Sequence, residues 1–293
     1  MLKIFKKANG SGNFGALFSN FSTIPACIIL FVSVLGLSAC SDMFEPTISE
    51  ICQEQGEFCT DLNQDHQCRY EKAEIIRHRY YHQNEATDGH KYDLLLKFED
   101  YLTCIEKAAH IEHKKIRDKE ATRLKGVLTA RKEIDRLSRE TRQSADPYLS
   151  YYQWSRYGHE DALQRFMHYS RTGQVNDPEL LVNLASIQVK DDLNATINTL
   201  YKALSLYPGS DEVDEEIYAT LVTIGMEKEN YRMAYVWAGV LANYNDKVNS
   251  SQQAALAQKF GLPADVLDDV TEDITSALDS GKFDAQALGL YRL

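Results

Sequence analysis

Thiols, imidazoles and carboxylates crowd into one short stretch of this chain. Cys52, Cys59, Cys68 and Cys104 are four of its six cysteines. An even set in so short a span suits two disulfides in an oxidising compartment, and four cysteines allow three connectivities. Between them, Asp61-Leu62-Asn63-Gln64-Asp65 puts oxygens at Asp61, Asn63 and Asp65, the first three ligand positions of a calcium loop. The pattern then fails. His66 stands where glycine makes the sharp turn, and Lys72 where a bidentate glutamate closes the site. A turn leading into the next helix is the plainer reading. His78 and His82 are four apart, one helical turn, with His110 and His113 further along. Imidazoles so placed suit zinc or copper, although no carboxylate pattern completes such a site. Asp61, Asn63, Asp65, His78 and His82 are therefore weak metal candidates, and the expectation is no bound metal and no cofactor. His159-Glu160-Asp161-Ala162-Leu163 lacks the second histidine of a metalloprotease motif. There is no glycine-rich phosphate loop, no nucleophile elbow and no distinctive carboxylate pair. The residues favour binding over catalysis.

A fifth thiol points to a different chemistry. Lys3, Lys6 and Lys7 precede an apolar run from Ile24 to Ala39, which ends in Leu37-Ser38-Ala39-Cys40. A basic start, an apolar middle and small residues before a cut are the layout of a secretory signal. The run is 16 residues long and includes Pro25 and Ser33, short of the ~20 that a spanning helix needs. The box resembles the site where bacterial lipoproteins are diacylated and then cleaved, so Cys40 becomes the lipidated first residue. In that family an aspartate directly after the cysteine favours the inner membrane. Here Ser41 holds that place and Asp42 comes one later, so the resemblance implies the outer membrane.

Removing residues 1–39 takes away three lysines and no acid, leaving 29 basic against 43 acidic residues, a net charge of −14. That balance argues against nucleic acid as a partner. The four internal cysteines then occupy the first third of an exported chain. Thr47 and Glu50 form a capping box for a short helix at 48–55. Residues 69–83 and 91–112 have helical spacing and are separated by the polar turn Asn84–Gly89. Folded antiparallel about Thr87, that hairpin brings position 68 near 106. Cys68–Cys104 is then the favoured pair, leaving Cys52–Cys59 to close a short loop. Residues 113–146 hold 11 basic and six acidic residues. Such a helix suits an anionic membrane surface, or a solvated face laced with ion pairs Arg131–Asp135, Asp135–Arg139 and Arg136–Glu140. No stretch alternates with a period of two, so the fold class is all-α.

The carboxy-terminal half repeats itself. Asp177-Pro178 opens a helix carrying Leu180, Leu184 and Ile187, and a second follows with Ile197, Leu200, Tyr201 and Leu204. The scheme recurs after Pro208-Gly209, and an earlier pair runs over 147–157 and 160–171. Ala203-Leu204-Ser205-Leu206-Tyr207-Pro208 is similar to the closing stretch of a tetratricopeptide repeat. Matching the small residues of the second helices gives Ala162, Thr196 and Ala234, 34 and 38 apart. The family's first-helix pattern is blurred. The resemblance implies stacked helix pairs over 147–245, capped by 250–293, with a concave face that binds a protein partner.

The expected organisation is a signal at 1–39, a tether and cysteine-rich opening at 40–68, a helical hairpin and charged helix at 69–146, and repeats at 147–293. The layout also resembles an uncharacterised lipoprotein family of gammaproteobacteria, a domain of unknown function, on Ile51-Cys52, Cys59-Thr60-Asp61-Leu62-Asn63 and Arg69-Tyr70-Glu71-Lys72. That resemblance implies no activity. The functional expectation is an outer-membrane lipoprotein facing the periplasm, an adaptor for a periplasmic protein. The alternative is an envelope enzyme, or a small-ligand or metal-binding protein, on a helical scaffold.

Overall fold

The computed structural model describes residues 45–111, 117–173, 175–245 and 251–293. The signal, the box and Cys40 lie outside the described residues, as does His113. All regular structure among the described residues is helical, with no strand. Two compact units divide between Ala162 and Leu163.

The first unit begins with α1 (Ile48–Glu54). Its start is fixed by reciprocal capping: the Thr47 hydroxyl accepts from the Glu50 amide, and the Glu50 carboxylate accepts from the Thr47 amide at 2.7 Å. A single 3-10 turn and the loop 59–68 lead to α2 (Arg69–His82) and α3 (Asp88–Ala109). The intervening turn ends at Thr87, whose hydroxyl caps α3 by accepting from the His90 amide. Leu95, Phe98, Tyr101 and Ile105 recur on one face of α3 and are fully buried, against α2 on one side and α4 (Arg117–Thr141) on the other. Ile51 and Leu62 from the cysteine-rich opening complete that core with Ile75 and Ile76. At ~1.5–3 kcal/mol for each large apolar side chain buried, this face alone accounts for much of the unit's cohesion.

The outer face of α4 carries the ion pairs that its charge pattern predicts, Asp135–Arg139 at 2.7 Å and Arg136–Glu140 at 2.8 Å. Arg131 differs: it reaches across to Glu106 of α3 at 2.6 Å. Helix α5 (Pro147–Tyr157), capped by Asp146 and ended by Gly158 in the left-handed region, buries Leu149 and Tyr152 in this same core. It thus packs within the first unit instead of opening the repeats.

After α6 (Glu160–Arg171), which spans the division, the second unit is built from consecutive helices. They are α7 (Pro178–Gln188), α8 (Leu193–Leu204), α9 (Glu215–Glu227), α10 (Tyr231–Tyr244), α11 (Ser251–Phe260) and α12 (Ala264–Asp279). Asp177, Asp192, Asp214 and Asn230 each turn a side-chain oxygen onto the first turn they cap. Helices α7 and α8 pack as a pair, as do α9 and α10, and α10 then packs on α11 and α12. Thr196 and Ala234, the small residues matched across the repeats, are both fully buried. Gly225 lets α9 approach α10 closely, since a Cβ there would lie 2.8 Å from the Ala234 backbone nitrogen. An aromatic column runs through the unit: Tyr244 stacks on Tyr218, Tyr218 on Trp237, and Trp237 meets Tyr201.

Candidate functional site

Two disulfides are formed, Cys52–Cys59 and Cys68–Cys104, with Cα atoms 5.7 and 5.8 Å apart. This is the connectivity that antiparallel folding of the hairpin favours. The bridges pin the loop 59–68 from both ends, and four side chains then hold its middle. Arg79 grips Asp61 with two bonds of 2.9 Å, donates to the Phe58 carbonyl and lies over the Phe98 ring. The buried Arg123 donates to Asp65 at 2.7 Å and to the Ala108 carbonyl at 2.9 Å. Burial would raise the Asp65 pKa, but bonds from Arg123, Asn63 and the Gln67 amide outweigh it and hold the carboxyl below its usual value. Thr129 donates to the Asp61 carbonyl. Lys72 donates to the carbonyls of Asn63 and Asp65 at 3.0 and 3.1 Å.

The calcium pattern has therefore been turned to another use. Asp61, Asn63 and Asp65 do sit together, but Asp61 and Asp65 are spent on arginines. Asn63 exchanges hydrogen bonds with Tyr101, and the Lys72 ammonium grips the loop from the position where calcium's last ligand would come. Among the described residues, the one group of three metal-type donors within 4.8 Å is Cys68, Glu71 and Cys104. Both of its sulfurs are in the disulfide.

The histidines assemble differently from the sequence expectation. His82 stacks on His90 with ring centres 3.6 Å apart, and His78 lies 4.5 Å from His82. His110 is at the opposite end of α3, bonded to the Glu106 carbonyl. The reason is direction: an antiparallel hairpin brings the end of α2 to the start of α3, where His90 sits. His78 Nε2–H donates to the His90 carbonyl at 2.8 Å, and His90 Nδ1–H to that of Glu85 at 2.6 Å. Burial, then the neighbouring His82, pulls the His78 pKa down to about 4, against the raising effects of the His90 carbonyl and Asp93. Burial and then His90 lower His82 as well. The three imidazoles border a cavity of about 260 Å³, together with Phe58, Leu94 and Leu137 and the charged Arg79, Lys91, Arg136 and Glu140. Their nitrogens do not converge to a three-ligand metal site as they stand. Such a cup suits a small ligand with a flat apolar body.

These elements fall inside the region that a family model described as "Protein of unknown function" matches, residues 37–239. The chain belongs to the DUF2989 family. No curated protein and no solved structure matches it. The DUF2989 match takes in the cysteine-pinned loop, the histidine cup and the helices as far as most of α10. In the second unit of this DUF2989 chain, a narrow apolar slot of about 20 Å³ lies among Val182, Ala185, Leu200 and Ile217. It is too small for a ligand beyond a water or two. Sequence reasoning missed His90, Arg79 and Arg123 as partners. Of these, only His90 left a signal, three residues after the Thr87 cap that sets the hairpin.

Proposed function

We propose that this chain is a lipoprotein of the outer membrane, anchored through acylated Cys40 and facing the periplasm, whose tetratricopeptide-like helix pairs bind a protein partner. The pair of disulfides carries the envelope address, because such bridges persist in oxidising compartments and are rare in the cytosol. The family match supports the same reading, since it begins at Leu37 and so includes the box. No helix among the described residues is long and apolar enough to cross a membrane, and the attachment we propose is acylation of Cys40. Several chains on one cysteine hold firmly where a single chain binds marginally. For the adaptor role, support comes from helix pairs with buried small residues in register, which bury one another's apolar faces and leave an extended outer surface.

Crosslinking in intact cells, followed by purification and mass spectrometry, tests this. One reproducible envelope partner, lost in Cys40→Ser, is expected. Recovery of the protein alone, or an unmodified Cys40, would overturn it. The histidine cup favours a second reading, small-ligand or metal binding. Metal analysis and ligand-dependent thermal shifts of untagged protein, compared with His82→Ala, address that directly.

A further inference from the structure

We propose that the corner of the second unit where Tyr207, Tyr218 and Tyr244 meet a ring of carboxylates is the docking site for a lysine- or arginine-bearing segment of the protein partner. This rests on the adaptor reading and names the chemistry of what is adapted. The corner is built from four chain segments. Asp279, ending α12, accepts from the Ser210 hydroxyl at 2.6 Å and the Tyr244 hydroxyl at 2.7 Å. Glu215, opening α9, accepts from Asn245. Asp211 and Glu212 lie in the 3-10 turn between α8 and α9, and Asp177 and Asp214 cap α7 and α9. Tyr207 is half-buried at the same turn, and burial, then the charges of Asp214, Glu179, Asp177 and Glu212, push its pKa up. The turn is locked, since any Cβ at Gly281 would overlap the Pro208 carbonyl.

Two observations make this more than an acidic surface. First, Asp177, Asp211, Glu212, Asp214, Glu215 and Asp279 form no ion pair among the described residues, whereas the acids of the first unit are laced with them. Like charges set side by side repel one another, and a cationic partner relieves that repulsion. Second, the hydroxyl of Tyr218 is fully buried and has no hydrogen-bond partner among the described residues. Its ring stacks on Tyr244, whose own hydroxyl donates to Asp279, and burial, then the charges of Tyr244, Asp279, Tyr207 and Glu215, push its pKa up. A buried polar group left unmatched is costly, and here it is aimed at the same corner. An arriving ammonium or guanidinium supplies a donor to the phenol oxygen and charge to the carboxylates. A metal ion fits poorly, because no three of these carboxylates bring oxygens within 4.8 Å of one another.

The test uses the full lipidated chain in detergent and a fluorescein-labelled peptide of alternating lysine and alanine. The combined variant Asp211→Asn, Glu212→Gln, Glu215→Gln should weaken binding at least about tenfold, as close charge pairs do. Asp265→Asn, Asp269→Asn, Asp273→Asn makes the same charge change on α12 and should not. Tyr218→Phe, which alters no charge, should weaken binding severalfold while leaving the melting temperature unchanged or raised. Equal losses in the two triple variants, or an unaffected Tyr218→Phe, overturn the proposal. If the partner crosslinks to the corner variant as well as to the native chain, the adaptor stands and this site falls. If the native chain captures none, the adaptor reading itself is lost.

Discussion

Acidification should loosen the first unit through one imidazole. In the unfolded chain His78 takes up a proton near its ordinary pKa of 6.5, while in the folded chain it does so only at about 4. Between those values the unfolded state binds more protons, so stability falls as pH falls. The window is 6.5 down to 4, and each unit of separation corresponds to about 1.4 kcal/mol. Full expression of the shift is thus worth about 3 kcal/mol, an upper figure because neighbouring water and rearrangement screen part of it. The residue is 7% exposed and donates through Nε2 to the His90 carbonyl. His78→Gln keeps an amide donor there and removes the titration. Trp154 and Trp237 are the two tryptophans, one in each unit. Urea unfolding of the first unit can therefore be followed by Trp154 fluorescence in a Trp237→Phe background. Native and His78→Gln chains, compared at pH 7.5, 6, 5 and 4, should diverge in slope, the native chain losing up to about 3 kcal/mol more. Parallel profiles would refute the assignment of the buried neutral imidazole.

Three other perturbations follow from the geometry. Asp65→Asn strands the buried Arg123 guanidinium and should cost about 3 kcal/mol or more in urea unfolding, with Arg123→Met in the same chain recovering much of it. Removing Cys68–Cys104 as a serine pair opens a 36-residue separation and should cost about 4 kcal/mol, against about 2 kcal/mol for the 7-residue Cys52–Cys59. Equal losses in thermal melts would show that the loops do not set the stabilisation. Gly225→Ala drives a methyl onto the Ala234 backbone and should cost about 2 kcal/mol in thermal unfolding, whereas Gly56→Ala meets open space and should be near neutral.

Much of the fold was legible because its signals are local. The capping box at Thr47, the proline after Asp177 and the period of Leu95, Phe98 and Ile105 each act within a turn or two of the chain, and the helices begin and end close to where those signals place them. The hairpin also set the cysteine pairing, because direction alone decides which ends meet. The same direction, applied with less care, sends the search for histidine partners to His110 instead of His90. What stayed hidden is what depends on distant packing. Leu149 and Tyr152 look alike on any amphipathic helix, and nothing near them says which core they join. Arg123 sits in a stretch, 113–146, with eleven basic residues, where one buried guanidinium reads like its solvated neighbours. The orphaned hydroxyl of Tyr218 is invisible in a chain with 17 tyrosines.

The position of Lys72 has a further consequence. A loop that gathers oxygen atoms around a free ion takes its shape from the supply of that ion, and so reports on its surroundings. Here the cation is tethered to the backbone, seven and nine residues from the two carbonyls it holds. Its local concentration is fixed by covalent bonds, so neither a chelator nor a change in external calcium can empty the place. The loop is thereby held in one shape by the folded chain's own cation.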